Sequence, residues 1–150
     1  MLTLLSPTGA YAQAQVQISR LVDVSFGTIA NFTTDQSISQ TICVYSSAAN
    51  GGYSVTATGS GSSGAFTLSA SGGNRLRYEV QWAASANQTT GQTLTARVAL
   101  GGLTSNGITS SCVFGFLPTA SLITVLRATD LSTVTAGTYT GTLSLLIAPI

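Results

Sequence analysis

The chain has 150 residues, of which only 6% are charged and none is histidine. A typical soluble domain carries about a quarter charged residues, so this one depends on hydroxyl and amide groups for its contact with water. Sparse basic residues exclude nucleic acid as a partner, because binding to phosphates requires a dense Lys and Arg surface. The length suits one domain with a single core.

Few side chains are suited to catalysis. Without histidine, Ser-His-Asp and Cys-His arrangements are excluded. Paired carboxylates could still act as they do in glycosidases, and the only candidates are Asp23, Asp35, Glu79 and Asp130. We expect Glu79 to pair with Arg77 on an exposed strand face. The sequence therefore predicts a protein that is not an enzyme and has no cofactor.

The first residues, 1–14, resemble the end of a secretory signal peptide. Their last part, from Ala10 to Ala14, contains two overlapping small-x-small patterns that are typical of cleavage sites. The basic start and most of the apolar stretch are missing, so we interpret Met1 as an internal or misassigned start. Residues 15–150 would then form the exported domain. A loose N-terminus in a cytosolic protein is the alternative.

No later segment has the ~20 apolar residues that are needed to span a bilayer. We therefore expect a protein that passes through the periplasm to the cell surface and does not span the membrane.

The two cysteines, Cys43 and Cys112, both lie in strand-like sequence. An oxidising periplasm favours a disulfide between them. It would close a loop of about 70 residues. In the chain-entropy model such a disulfide stabilises the folded state by on the order of 4 kcal/mol. Two buried, reduced thiols are the alternative. With no histidine and few carboxylates, two cysteines cannot assemble the usual four-ligand zinc site, so we expect no metal.

Short extended runs recur between Gly, Asn and Ser residues, and no helix-length apolar stripe occurs. The clearest run is 76–82, where strict alternation predicts four core-facing side chains: Leu76, Tyr78, Val80 and Trp82. Further strands are predicted at 16–26, 37–45, 53–58, 94–100 and 122–127. About seven to nine such strands with frequent turns predict an all-β fold, an immunoglobulin-like antiparallel β-sandwich.

Two late runs repeat the alternation. Residues 94–100 place Leu94 and Val98 on one parity, ahead of a turn at Gly101. The last run, 138–147, places four side chains on one parity, where we expect them to line the core or a groove: Tyr139, Leu143, Leu145 and Ile147. This pattern predicts a half-buried closing strand.

The closing run, with a turn glycine before Tyr139 and alternating apolar residues after it, resembles the final strand of spore coat protein U-like domains. These domains are the subunits of archaic chaperone–usher pili. Residues 24–28 are similar to the family's early strand with its Phe-Gly pair. The strands that follow in the family are similar, in the same order, to 39–45, 53–59 and 76–82.

The resemblance implies an immunoglobulin-like fold that lacks one strand and so has an apolar groove beside its last strand. A periplasmic chaperone would fill this groove first. The N-terminal extension of the next subunit would replace the chaperone at an outer-membrane usher, by β-augmentation. The expected partners are therefore the chaperone, the usher, neighbouring pilus subunits and an abiotic or host surface, with a role in attachment and biofilm formation.

The chain departs from the family pattern at both ends. Only about ten residues separate the cleavage site from Val24, and they contain no cysteine. We therefore expect no donor strand, a position near the fibre tip, and a disulfide from Cys43 to the late Cys112. The ending, 146–150, is similar to a linker, as in a fragment of a two-domain tip adhesin. The alternative is a single-domain minor pilin with a donor strand formed by Val16, Ile18, Leu21, Val22 and Val24.

Apolar residues beside turn-forming residues are candidates for surface adhesion: Phe32, Phe116, Leu117 and Pro118. Exposed together, they would form a hydrophobic patch, although packing in the core is the alternative for each. A free extracellular carbohydrate-binding β-sandwich domain is the alternative function. It would use Trp82 and Tyr78 to stack on sugar rings if these side chains faced solvent.

We predict that Cys43 and Cys112 are joined in the exported protein. Alkylation without reductant should leave the intact mass unchanged, whereas alkylation after reduction should label both cysteines. Labelling of both thiols without reductant would contradict the disulfide and weaken the inference of export.

Overall fold

The computed structural model describes residues 13–107 and 118–150, and in them the alternating runs form ten strands. The strands are β1 (Val16–Ser19), β2 (Gln36–Ser46), β3 (Gly52–Gly59), β4 (Thr67–Ser69), β5 (Arg75–Arg77), β6 (Glu79–Ala83), β7 (Gln92–Thr93), β8 (Ala99–Thr104), β9 (Ala120–Leu126) and β10 (Leu143–Pro149). One short helix, α1 (Ala128–Leu131), and 3-10 turns at Ala49–Gly51, Ser62–Gly64 and Ser71–Gly73 complete the described elements.

The strands form two main sheets. One has the order β1-β2-β9-β6-β7 and the other the order β10-β3-β8, while β4 and β5 form a separate hairpin. Every pairing between these strands is antiparallel. The predicted all-β antiparallel sandwich is confirmed.

The core lies between the two main sheets. The four side chains predicted from the alternation of 76–82 are all buried there, with Trp82 1% and Tyr78 8% exposed. Trp82 donates a hydrogen bond from Nε1 to the hydroxyl of Tyr53 on β3, at 3.1 Å. The two rings meet edge to face, with centroids 6.3 Å apart. This pair links the sheets through both packing and a polar contact.

Strand β9 is buried on both faces. Its inward side chains join the core, and the segment 84–91 covers part of its outward face. There the hydroxyl of Ser121 donates to the carbonyl of Ser85 at 2.8 Å and accepts from the N–H of Gln88 at 3.0 Å. The sequence of a central strand that is covered on both faces is typically a nearly continuous apolar run rather than an alternating one.

The predicted strand 16–26 is shorter than expected. It ends at Ser19, and Arg20 adopts a positive φ of 67°, which turns the chain away from β2. Beyond it, the side-chain amide of Gln40 takes the place of a strand partner: it donates to the carbonyl of Val22 at 3.2 Å and accepts from its N–H at 3.0 Å.

Two further predicted strands are interrupted. The run 76–82 is split at Tyr78, whose N–H donates to Phe66 at 3.0 Å, so its first half pairs with β4 and its second half with β9. The run 94–100 is broken at Arg97, which has φ of 65° and donates its N–H to Ala57 on β3 at 2.8 Å. There the chain crosses from one sheet to the other, and Val98 is 56% exposed instead of facing the core.

We predict that Tyr53→Phe lowers the free energy of unfolding by about 1–3 kcal/mol, because it leaves the buried Nε1–H of Trp82 without an acceptor. Urea denaturation would measure the change. Tyr45→Phe is the matched control, since Tyr45 lies on the outward parity of β2, and it should change stability by less than about 0.5 kcal/mol. Equal losses for the two variants would contradict the role given to the Tyr53 hydroxyl.

Candidate functional site: the open edge of β10

Strand β10 is an edge strand. Among the described residues it pairs only with β3, in a continuous register from Leu143 opposite Gly59 to Pro149 opposite Tyr53. On its other side, the main-chain N–H and C=O groups of β10 therefore form no hydrogen bonds with a described strand.

Two hydrogen bonds show which main-chain groups of β10 face outward. The carbonyl of Ala57, opposite Leu145, accepts from Arg97 on the far side of β3, whereas the N–H of Ile150 donates to Gly52 at 3.3 Å. Directly opposed residues of an antiparallel pair alternate between bonded and non-bonded pairs. Leu145 is in a non-bonded pair, so its N–H and C=O point towards the open edge.

The same alternation applies along β10. The outward-facing main-chain groups belong to Leu143, Leu145, Ile147 and Pro149. Proline has no N–H, so the edge offers donors as far as Ile147 and only an acceptor at Pro149. An added strand would therefore find regular pairing over about five residues.

The side chains of the closing run follow the expected parity. Tyr139, Leu143, Leu145 and Ile147 are partly buried and pack against the core. Thr142 and Ser144, between them, are exposed. The strand itself begins at Leu143, and Tyr139 precedes it with its hydroxyl donating to the carbonyl of Thr135 at 2.8 Å.

Strand β1 lies close to β10 but belongs to the other sheet. Its apolar side chains, Val16 and Ile18, are partly buried against the same core, and no described strand lies between β1 and β10. The apolar inner surface at this seam is thus only partly covered. Because β1 pairs with β2, Val16 and Ile18 lie within the chain's own sheet in this structure.

Only some of the residues named from the sequence for adhesion or for a disulfide lie in the described part of the chain. Phe32 is 47% exposed and Pro118 is partly buried, while Phe116 and Leu117 lie outside the described residues. Cys43 is fully buried on β2. Its expected partner, Cys112, also lies outside the described residues, so the disulfide stays a prediction.

Stacking of sugars on Trp82 and Tyr78 is not possible in this fold, because both rings are buried. Within 13–107 and 118–150 there is no group of three or more side chains that could hold a metal ion. No helix in the same residues combines the length and the apolar character that crossing a membrane would need.

The prediction of an ion pair between Arg77 and Glu79 is wrong. Glu79 instead pairs with Arg127, at the end of β9, through an Nη2–Oε2 contact of 2.7 Å. Arg127 also binds Asp35, with Nη1 2.7 Å from Oδ2. The two carboxylates are thereby clamped to one guanidinium, which joins β6, β9 and the residue before β2.

This clamp changes the acidity of both carboxyl groups. The pKa of Asp35 is lowered from its ordinary value of 3.8, first by the N–H of Ala128, which donates to Oδ1 at 2.8 Å, and then by Arg127. Partial burial acts to raise the pKa of Glu79, but hydrogen bonds from Gln81 and Arg127 together outweigh it, and the pKa falls below 4.5.

Comparison with known proteins bears on the fold. No family model matches the chain, and no curated protein matches it either. Among solved structures it is similar to a chain of the chaperone–tip adhesin complex of CFA/I fimbriae biogenesis, with a TM-score of 0.57 and 19% sequence identity. The two chains share a fold. The match covers 91% of this chain and 41% of the other, so the chain spans less than half the length of its neighbour.

We predict that acid destabilises the fold partly through the Arg127 clamp. Because the folded-state pKa values of Asp35 and Glu79 are lowered, their contribution is complete above about pH 5 and is lost as pH falls through the folded values. Arg127→Gln should therefore reduce the decline in the free energy of unfolding between about pH 5 and pH 2, as measured by urea denaturation. Arg75→Gln, which removes an arginine outside the clamp, should leave the decline unchanged. An unaltered pH dependence in Arg127→Gln would contradict the prediction.

Proposed function

We propose that the chain is a structural and adhesive subunit of an extracellular chaperone–usher pilus, of the spore coat protein U-like kind. In this proposal a β-strand from another polypeptide completes the sandwich along the open edge of β10. The observation that carries the proposal is the coincidence, on Leu143, Leu145 and Ile147, of outward main-chain groups and partly buried apolar side chains.

This coincidence is what strand addition requires. The main-chain groups of an added strand would bond those of β10, and its inward side chains would lie beside Leu143, Leu145 and Ile147 and cover the seam next to β1. A donor with apolar residues at three alternating positions fits the length of the edge. Such an edge left unpaired invites aggregation, which gives a periplasmic chaperone its role before a neighbouring subunit takes over at the usher.

A position near the fibre tip is supported by the use of β1. Val16 and Ile18 are packed into the chain's own core, so β1 is not available to complete another subunit. We propose that the chain receives a strand through β10 and contributes to surface attachment and biofilm formation through exposed apolar residues. Of the residues named for adhesion, Phe32 is 47% exposed and Pro118 is partly buried.

The fold shared with a chain of a fimbrial chaperone–tip adhesin complex also supports a pilus-related role. Export through the periplasm to the cell surface is part of the proposal, and the resemblance of residues 1–14 to the end of a secretory signal peptide supports it.

We predict that Leu145→Glu abolishes both accumulation of the subunit and assembly of the fibre when the chain is expressed with its chaperone and usher. The variant places a charge without a partner on the apolar inner surface, which costs several kcal/mol. Ser144→Glu is the matched control, because its side chain points to solvent and the charge stays hydrated. Immunoblots of periplasm and of sheared fibres would measure both steps.

Leu145→Ala separates strand capture from folding. It shortens the side chain without adding charge. We expect the near-UV circular dichroism of the buried Trp82 to persist, which shows that the chain still folds. Co-purification with the chaperone should fall. Equal tolerance of glutamate at 144 and 145, or undiminished chaperone capture by Leu145→Ala, would overturn the proposal.

A further inference from the structure

A second site lies away from the open edge of β10, in a surface pocket between β5 and α1. Its lining consists of Phe66, Arg77, Tyr78, Leu94 and Asp130, with the Glu79–Arg127 ion pair beside them. None of these residues belongs to β10 or β1.

One part of the pocket is apolar. The rings of Phe66 and Tyr78 lie 5.7 Å apart between centroids at an interplanar angle of 36°. A main-chain hydrogen bond of 3.0 Å from Tyr78 to Phe66 holds them together, and Leu94 is buried next to the same space. This wall is fixed by the fold before any ligand arrives.

The polar part has unused hydrogen-bonding capacity. Within the described residues, no hydrogen bond or ion pair engages the guanidinium of Arg77, the hydroxyl of Tyr78 or the carboxylate of Asp130. Burial raises the pKa of Tyr78, so its hydroxyl stays protonated at neutral pH and can donate as well as accept. Glu79 and Arg127, in contrast, are held by one another and by their neighbours.

The pocket also concentrates charge in a chain that has little. The sequence contains five basic and four acidic residues, and four of these nine line the pocket. They are two arginines and two carboxylates, so the lining has no net charge. An anion would meet Glu79 and Asp130, and a cation would meet Arg77 and Arg127, each at an electrostatic cost.

We infer that this pocket binds a neutral saccharide. A sugar hydroxyl both donates and accepts, so it can pair with the donor-only Arg77, the acceptor-only Asp130 and the hydroxyl of Tyr78. The apolar face of a sugar ring can pack on the partly exposed ring of Phe66, as ligands do in pockets that combine an apolar wall with a few polar groups. The inference goes beyond the proposed pilus role and shares no residue with the β10 edge.

The test is an NMR titration of the isotope-labelled full chain with the methyl glycosides of glucose, galactose and mannose, and with lactose. We expect saturable shifts of the amide signals of Phe66, Tyr78 and Leu94 with at least one of them. Arg77→Ala and Tyr78→Phe should each weaken binding about tenfold, as the loss of one hydrogen bond predicts. Arg75→Ala is the matched control: it changes the same residue type on the same strand outside the pocket, and binding should be unaltered.

The inference is overturned if none of the four neutral sugars produces saturable shifts, if the shifts lie elsewhere, or if Arg77→Ala binds as the unchanged chain does. Sialyllactose, which is anionic, is titrated in parallel. If the chain prefers it to lactose, the assignment of a neutral saccharide as the ligand is overturned. None of these results bears on chaperone capture by β10, so failure here is distinguishable from failure of the assembly proposal.

Discussion

The main-chain hydrogen bonding of β10 is the constraint on which the rest of this structure depends. A peptide group in a sheet must bond a neighbouring strand or water, and in the described residues β10 has a neighbour on one side only. Its inward side chains are partly buried against the core all the same. The strand therefore combines the packing of an interior element with the unpaired backbone of an edge.

The other sheet edges are less suited to receive a strand. Strand β7 has two residues and β1 has four. Strand β8 is longer, but its register with β3 shifts between Tyr53 and Val55, and Gly102 on it has a φ of 71°. Short strands and irregular ladders are features that discourage edge pairing. Seven residues of regular register distinguish β10 from them.

Three of the nine charged residues of the chain join neighbouring strands. Arg127 follows β9 and joins Glu79 of β6 to Asp35, which precedes β2, so one guanidinium ties together three neighbouring strands of a sheet. Two members of the clamp, Glu79 and Arg127, also line the pocket next to Tyr78. Its side-chain groups are partly exposed, so its energetic contribution is moderated by solvent.

Side-chain parity was determined by the sequence alone, in 76–82 and again in 143–147. In an extended chain consecutive side chains point to opposite faces, so alternation is a local property that survives even where a strand is split, as at Tyr78. The closing-run residues of the candidate site were recognisable for the same reason. Pro149, visible in the sequence, could have indicated an edge strand, but its part in ending the row of donors needed the register with β3.

Only the tertiary structure decided which strands are neighbours. The turn at Arg97, the early end of β1 at Ser19 and the pairing of Glu79 with Arg127, 48 residues away, all depend on contacts between distant parts of the chain. The sequence pattern of a half-buried strand is the same whether it lies at an edge or inside a sheet. The open side of β10 and the pocket beside β5 therefore arose from the packing of the sheets, which local periodicity does not encode.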